Sequence, residues 1–384
     1  MTTVPRTYVD IHVLQTVPPS NLNRDDAGSP KQAIYGGVRR ARVSSQAWKR
    51  ATRTAFAERL PKEQLATRTK RISTLLADRL TARFGLGPEA AAQISTHLLA
   101  DLKITPGKKA TETAYLLFFG RPQIDAIADL VADSINELAG LDDAELKKAV
   151  EGLPVRETLS TGHPIDVALF GRMVADLSGL NVDAAVQVAH ALSTHRVDTE
   201  FDYYTAVDDE NTDSTGAGMI GTIEFTSATL YRFATVGLHQ LLENLGDDTE
   251  AAGAALEVFL DSFIRSMPTG HENSFAHRTV PQLVTVAIRA DQPVNLVSAF
   301  EAPVRGNGAG IATGSVTRFA AELSKAESLW GLTPLTLASC YDLPDADEQA
   351  ARDALGAPVP LPELIATVVS SARQRLIPVA GSDR

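Results

Sequence analysis

Gly36-Gly37-Val38-Arg39-Arg40-Ala41-Arg42-Val43-Ser44-Ser45-Gln46-Ala47-Trp48-Lys49-Arg50-Ala51-Thr52-Arg53 reads as a turn, a strand and then a helix. The paired glycines mark the turn. Val38 to Val43 suits an extended segment in which Arg40 and Arg42 share a face. Ser45 suits a helix N-cap. On a helix from Gln46, advancing about 100° per residue, Gln46, Lys49, Arg50 and Arg53 fall within one arc, and Ala47, Trp48, Ala51 and Ala55 form the opposite, apolar arc. One face is built to pack and the other to bind.

The same window carries no acid. Between Asp26 and Glu58 stand Lys31, Arg39, Arg40, Arg42, Lys49, Arg50 and Arg53 without a single Asp or Glu, in a chain whose formal net charge is -11. Residues 1 to 109 hold 19 Lys and Arg against 8 Asp and Glu, so the acidic excess lies in the remainder. Cations with no local anion call for a partner from outside, and a phosphate backbone is the commonest one. The competing account is a basic helix packed against acidic segments of its own chain. An overall pI near 5.3 argues against a protein that coats nucleic acid over its whole surface.

Outward from this stretch, Tyr8 to Val17 alternates as a first strand, ended by Pro18-Pro19 and a polar loop from Ser20 to Lys31. Helical patterns dominate from about 59 to 150, including Ile72 to Phe84, Ala90 to Leu102 and Ile124 to Leu138, as expected of an inserted helical subdomain. Ile165 to Phe170 reads as β-like and Asp183 to Thr194 as helical. From Arg196 to Phe225, two aromatic or β-branched stretches flank the polar residues 208–216, which predicts a long projecting hairpin. Leu238 to Met267 reads as helical, Gln282 to Ile288 as a strand and Val304 to Gly314 as a glycine-rich connection. Helices follow at Ser315 to Leu332, Asp345 to Leu355 and Leu361 to Leu376.

The length of 384 residues implies a principal domain with insertions, or two domains. No apolar run of eighteen residues and no basic-then-apolar N-terminal segment occur, so the expectation is a cytoplasmic protein with no membrane partner. Cys340, the single cysteine, reads as a small buried hydrophobe.

Motifs for small-molecule chemistry fail on inspection. Gly306-Asn307-Gly308-Ala309-Gly310-Ile311 lacks the third glycine of a dinucleotide fingerprint and opens no βαβ unit. His190 and His195 have the wrong spacing for a zinc pair on a helix. His271 and His277 read as solvated or core-capping histidines. No cofactor and no metal site is expected. Asp25 and Asp26 are the one enzymatic signal: adjacent carboxylates can hold a divalent cation for phosphodiester cleavage. Alternatively, they orient Arg24 by an ion pair.

Ordered blocks along the chain carry a family resemblance: Ile11-His12-Val13-Leu14, Leu22-Asn23-Arg24-Asp25-Asp26, Ala33-Ile34-Tyr35-Gly36-Gly37, Arg42-Val43-Ser44-Ser45-Gln46 and Lys49-Arg50-Ala51. Later blocks are Asp166-Val167-Ala168-Leu169, Gly171-Arg172-Met173, Ala189-His190-Ala191, Thr194-His195, Thr205-Ala206-Val207-Asp208-Asp209 and Gln240-Leu241-Leu242-Glu243-Asn244-Leu245-Gly246. Together they resemble CasC, the repeated backbone subunit of the type I-E CRISPR Cascade complex.

The resemblance implies an α+β fold: a modified RNA-recognition (ferredoxin-like) palm with inserted helical fingers and a projecting β-hairpin thumb. The palm would comprise 1–58, 156–195 and 226–384 with its C-terminal helices, the fingers 59–155 and the thumb 196–225. It further implies a non-catalytic protein whose copies polymerise along CRISPR RNA. Other Cascade subunits are implied partners, and target DNA is met through guide pairing. Arg24, Lys31, Lys49 and Arg53 stand where the family places cationic contacts, and Ser44, Ser45 and Gln46 open a helix whose free N–H groups suit an anion. Met173 and Tyr204 match positions that put bulk against a displaced nucleotide, though each also reads as ordinary core. Val38 departs from relatives that carry lysine there. The alternative is a metal-dependent endoribonuclease of the type III backbone kind, using Asp25 or Asp26.

Overall fold

The computed structural model of the chain describes residues 4–100, 102–104, 107, 112–114, 116–174, 177–206, 219–306, 308, 310–343 and 348–377. The chain opens with strand β1 (Tyr8–Ser20), hairpin strands β2 (Gln32–Tyr35) and β3 (Val38–Val43), and helix α1 (Ser45–Phe56). Strands β4 (Ala66–Thr69) and β5 (Leu117–Gly120) follow, interleaved with helices α2 (Ile72–Phe84), α3 (Pro88–Ala100), α4 (Arg121–Asp129), α5 (Ile135–Leu138), α6 (Asp143–Val150), α7 (Val155–Ser160) and α8 (Ile165–Phe170). Next come β6 (Val186–Val188), β7 (Ala191–Ser193), β8 (Glu200–Ala206), β9 (Met219–Gly237), α9 (Leu238–Asn244), α10 (Thr249–Arg265) and α11 (Glu272–Phe275). The chain closes with β10 (Leu283–Arg289), α12 (Ile311–Trp330), β11 (Thr336–Tyr341), α13 (Glu348–Leu355) and α14 (Leu361–Leu376).

Two compact units result, one of residues 1–56, 187–237 and 256–384, the other of residues 57–186 and 238–255. The first unit is built on a sheet of order β11-β10-β1-β9-β7-β3-β2, with β6 and β8 also pairing β9. β1 is buried along nearly its whole length because β10 and β9 flank it, both antiparallel. Its alternation therefore separates two interiors rather than core from solvent. Val17 joins Ala41, Val43, Trp48, Ala228 and Leu230 in one cluster, whereas Leu14 joins Tyr231, Phe233, Phe300 and Phe319 in another. Polar groups of β1 enter the interior with partners. Asp10 pairs with Arg289 at 3.1 Å, both fully buried, and His12 Nδ1 shares a hydrogen bond of 2.9 Å with the Tyr231 hydroxyl.

Gly36-Gly37 forms a two-residue turn between β2 and β3, both at positive φ (57° and 74°), which glycine adopts without strain. A side chain at Gly36 would also strike the Glu301 carbonyl. β9 changes partner along its length: Thr226 to Gly237 pair with β1, while Met219 to Phe225 pair with β8. The β8–β9 ladder thus runs on beyond the main sheet as the expected hairpin. Its tip, 208–216, lies outside the described residues.

The second unit buries one continuous cluster from α2, α3, β5, α4, α5, α6 and α7, including Leu76, Ile94, Phe119, Ile127 and Leu159. Two local expectations reverse. Ile165 to Phe170 is helix α8, not a strand: a short apolar run does not reveal its period, and Pro164 starts a turn in which Asp166 accepts from the Ala66 N–H. Asp183 to Thr194 is not helical but supplies β6 and β7, because Ala191 and Leu192 find partners on β3, and Leu192 and Ser193 on β9. The fold is α+β, with a palm sheet, helical fingers and a β-hairpin thumb.

Candidate nucleic-acid interface

The loop after β1 is shaped by its own side chains. Asn21 Nδ2 donates to Gly28 O (2.9 Å) and to Glu224 O (3.0 Å) at the base of the hairpin. Asn23 Oδ1 accepts from Ser44 N at 2.9 Å, and Lys31 N donates to Asn23 O at 2.8 Å. Asp25 Oδ1 accepts from both Ala27 N and Ser29 N at 3.0 Å, an Asx-type turn. The loop is thereby fixed against the start of α1, with Arg24 and Asp26 exposed. Asp25 organises the loop backbone. Neither Asp25 nor Asp26 forms an ion pair with Arg24, whose guanidinium meets His271 instead.

Ser44, not Ser45, caps α1. Its Oγ accepts from Ala47 N at 3.3 Å and it is buried, while Ser45 is the first helical residue. No acidic residue stands in the first turn, so the positive end of the helix dipole is left uncompensated. Along α1, Trp48, Thr52 and Phe56 are buried, Gln46 and Arg50 exposed, and Lys49 and Arg53 half-buried between them. Trp48 is held by a feature invisible in the sequence. The Arg232 guanidinium lies 3.8 Å from its ring centre and 4.7 Å from that of Phe263, and donates to Gln15 Oε1 at 2.6 Å. Burial lowers the Arg232 pKa to about 9. This buried sandwich sets the rotation of α1 on the sheet and so aims its polar face.

The cations of the acid-free window have separate fates. Arg40 is fully buried and donates to the carbonyls of Tyr35, Ser193, Phe300 and Glu301 at 2.8–3.1 Å, so it is a structural residue and does not share an exposed face with Arg42. Arg42 Nη1 meets His190 Nδ1 at 3.1 Å, and Arg24 Nη1 meets His271 Nε2 at 2.9 Å. Among the described residues, no ion pair joins Arg24, Lys31, Arg39, Arg42 or Arg50 to a carboxylate. Lys31, Arg42, Asn23 and Thr226 line a cleft together with Val17, Leu22, Ala228 and Leu230. Its 20 Å³ hold about one water molecule.

The structure thus gathers Arg24, Lys31, Ser44, Ser45 and Gln46 around the start of α1, with Lys49 and Arg53 further along that helix. Tyr204 lies on β8 directly opposite Gly221, its ring occupying the space a side chain there would take, and it keeps 38% exposure. Phe201 and Tyr203, which sequence reasoning did not single out, are each 66% exposed on the same strand. Met173 belongs to the other unit and is 81% exposed, which excludes the core reading. Buried neighbours hold it out: Arg172 donates to the Leu180 and Leu159 carbonyls, and Val174 N donates to Asn181 Oδ1.

Residues 9–367 match the family described as CT1975-like protein. The chain belongs to that family. It is also similar to a chain of a solved "CRISPR RNA-guided surveillance complex, pre-nicking", with 33% identity, TM-score 0.80, and coverage of 95% of this chain and 100% of that one. A second similar chain, from a "CRISPR RNA-guided surveillance complex", shows 31% identity and TM-score 0.73, with 95% and 99% covered. No curated protein sequence gives a significant match. The resemblance carried by the ordered sequence blocks therefore holds over nearly the whole chain. No described helix is long and apolar enough to cross a membrane.

Proposed function

We propose that the protein is a non-catalytic backbone subunit of a type I-E Cascade complex. Its copies polymerise along CRISPR RNA, grip the sugar-phosphate backbone and display the guide bases for pairing with target DNA in antiviral defence. The further partners are other Cascade subunits, in the cytoplasm. One observation carries this reading: a loop, a strand and a helix start present arginine and lysine side chains, and among the described residues no carboxylate pairs with Arg24, Lys31 or Arg42. A sequence-blind grip must use phosphate and ribose, because the bases have to stay readable. The helix start adds N–H donors for an anion. On the hairpin, Tyr204, with Phe201 and Tyr203, offers stacking of about 1–3 kcal/mol per base without sequence choice, and Met173 offers exposed apolar bulk.

Asp25 is committed to the loop backbone through one carboxylate oxygen. We assign it that role rather than metal-dependent cleavage. Expression with a CRISPR array followed by purification tests the reading: a discrete RNA should copurify, and Arg24→Ala with Arg42→Ala should deplete it. Incubating the loaded complex with complementary RNA and magnesium tests the non-catalytic reading of both Asp25 and Asp26. Intact RNA is expected, and evenly spaced cuts lost in Asp26→Ala would establish the nuclease instead.

A further inference from the structure

His271 and His190 were assigned no part in binding by spacing or motif, yet each accepts a hydrogen bond from an arginine of the cationic surface. A guanidinium only donates, so His271 Nε2 and His190 Nδ1 are the acceptors and both imidazoles are neutral in these pairs. Burial, and then the charge of the adjacent arginine, hold both pKa values below the ordinary histidine range. Lys31 contributes further at His190.

The site around His271 is built rather than incidental. His271 sits at φ 51°, a left-handed conformation unusual for a residue with a side chain. The preceding Gly270 approaches so closely that a Cβ there would lie 2.4 Å from the Leu22 carbonyl oxygen. The loop is thereby pressed against the segment that leads into Arg24. The imidazole also meets the Phe275 ring edge-on, with centroids 6.2 Å apart. The carboxylate nearest in sequence, Glu272, is engaged by Arg278 and is not offered to Arg24.

We infer that His271 and His190 are positioning residues of the RNA grip, neutral acceptors that aim Arg24 and Arg42 at phosphates. The inference rests on the RNA-binding reading above and deepens it. A carboxylate in either place would orient the guanidinium equally well but cancel its charge. An imidazole fixes the direction of the N–H fork and leaves the whole positive charge for a phosphate.

The test is a titration of the full-length chain with a fluorescein-labelled single-stranded RNA of mixed sequence, over a salt series. His271→Asn tolerates the left-handed backbone but is too short to reach Arg24. It should weaken binding about fivefold, the scale of one lost hydrogen bond, with an unchanged salt slope. His271→Gln should restore binding toward wild type, and His271→Glu should reduce the slope by about 0.7, as if one phosphate contact were gone. In an Arg24→Ala background, His271→Asn should have no further effect. The His190 and Arg42 pair should behave alike. Additive losses, or a His271→Glu slope equal to wild type, overturn the positioning role while RNA binding stands. A wild-type chain that does not bind the RNA overturns the binding reading itself.

Discussion

Arg79 and Arg83 in one unit and Arg24 and Arg42 in the other meet opposite fates. In the helical unit, Arg79 and Arg83 of α2 are engaged by Asp125 and Asp129 of α4, so the charge is spent inside the unit to hold two helices together. In the sheet unit, Arg24 and Arg42 donate to histidines, and their charge stays available. A third fate, in that same unit, is burial: Arg40, Arg232 and Arg289 lie in the core, on carbonyls, on aromatic rings or on Asp10. Residue type alone does not say which cations bind a polyanion. The acceptor each finds decides it.

The contrast can be broken most severely at Arg232. Arg232→Ala removes the group packed between Trp48 and Phe263 and strands Gln15, and should cost about 3 kcal/mol or more in urea unfolding. Because Trp48 then loses its seat, RNA binding should fall along with stability. Arg24→Ala with Arg42→Ala should do the reverse. Binding should drop about 100-fold near physiological salt, with unfolding free energy within about 0.5 kcal/mol of wild type, because neither side chain supports the core.

Imidazoles sharpen the same comparison. His12 is fully buried, and burial first, with the Arg289 charge second, lowers its pKa from 6.5 to about 3. Its folded pKa is depressed, so the stability it confers is complete above pH 6.5 and is lost as pH falls toward 3. Asp10, raised to about 6 chiefly by burial, acts in the opposite sense between pH 3.8 and 6. The difference between wild type and His12→Gln isolates the histidine. It should change by up to about 1.4 kcal/mol per pH unit below pH 6 in thermal or denaturant unfolding. The smallest effect belongs to the exposed pairs: Arg79→Ala or Arg83→Ala should shift stability by at most about 1 kcal/mol and leave RNA binding unchanged.

Where local rules and tertiary context agree, the sequence was readable. Leu361 to Leu376 and Ile72 to Phe84 show helical periodicity and form α14 and α2 with those bounds, and Gly36-Gly37 makes the tight turn its composition demands. Alternation in Tyr8 to Val17 named a strand correctly, but its flanks made both faces interior. Thr336 to Tyr341 was missed as a strand because its ladder with β10 is a long-range pairing. Among candidate site residues, the acid-free window pointed to a surface where Lys31 and Arg42 meet no carboxylate of the described residues. It did not separate Arg40, which turns inward, from Arg42, because both follow the same strand pattern and differ only in which carbonyls lie within reach. His271 and His190 were illegible for the same reason. Each meets its arginine across 247 or 148 residues.

The central claim is that this surface neutralises phosphates, and the salt dependence of RNA affinity measures it most directly. A plot of log Kobs against log salt should have a slope of roughly -3, about -0.7 for each of four contacts per copy, and should flatten stepwise in Arg24→Ala, Lys31→Ala and Arg42→Ala. A slope near zero, or one that those substitutions leave untouched, would contradict the account.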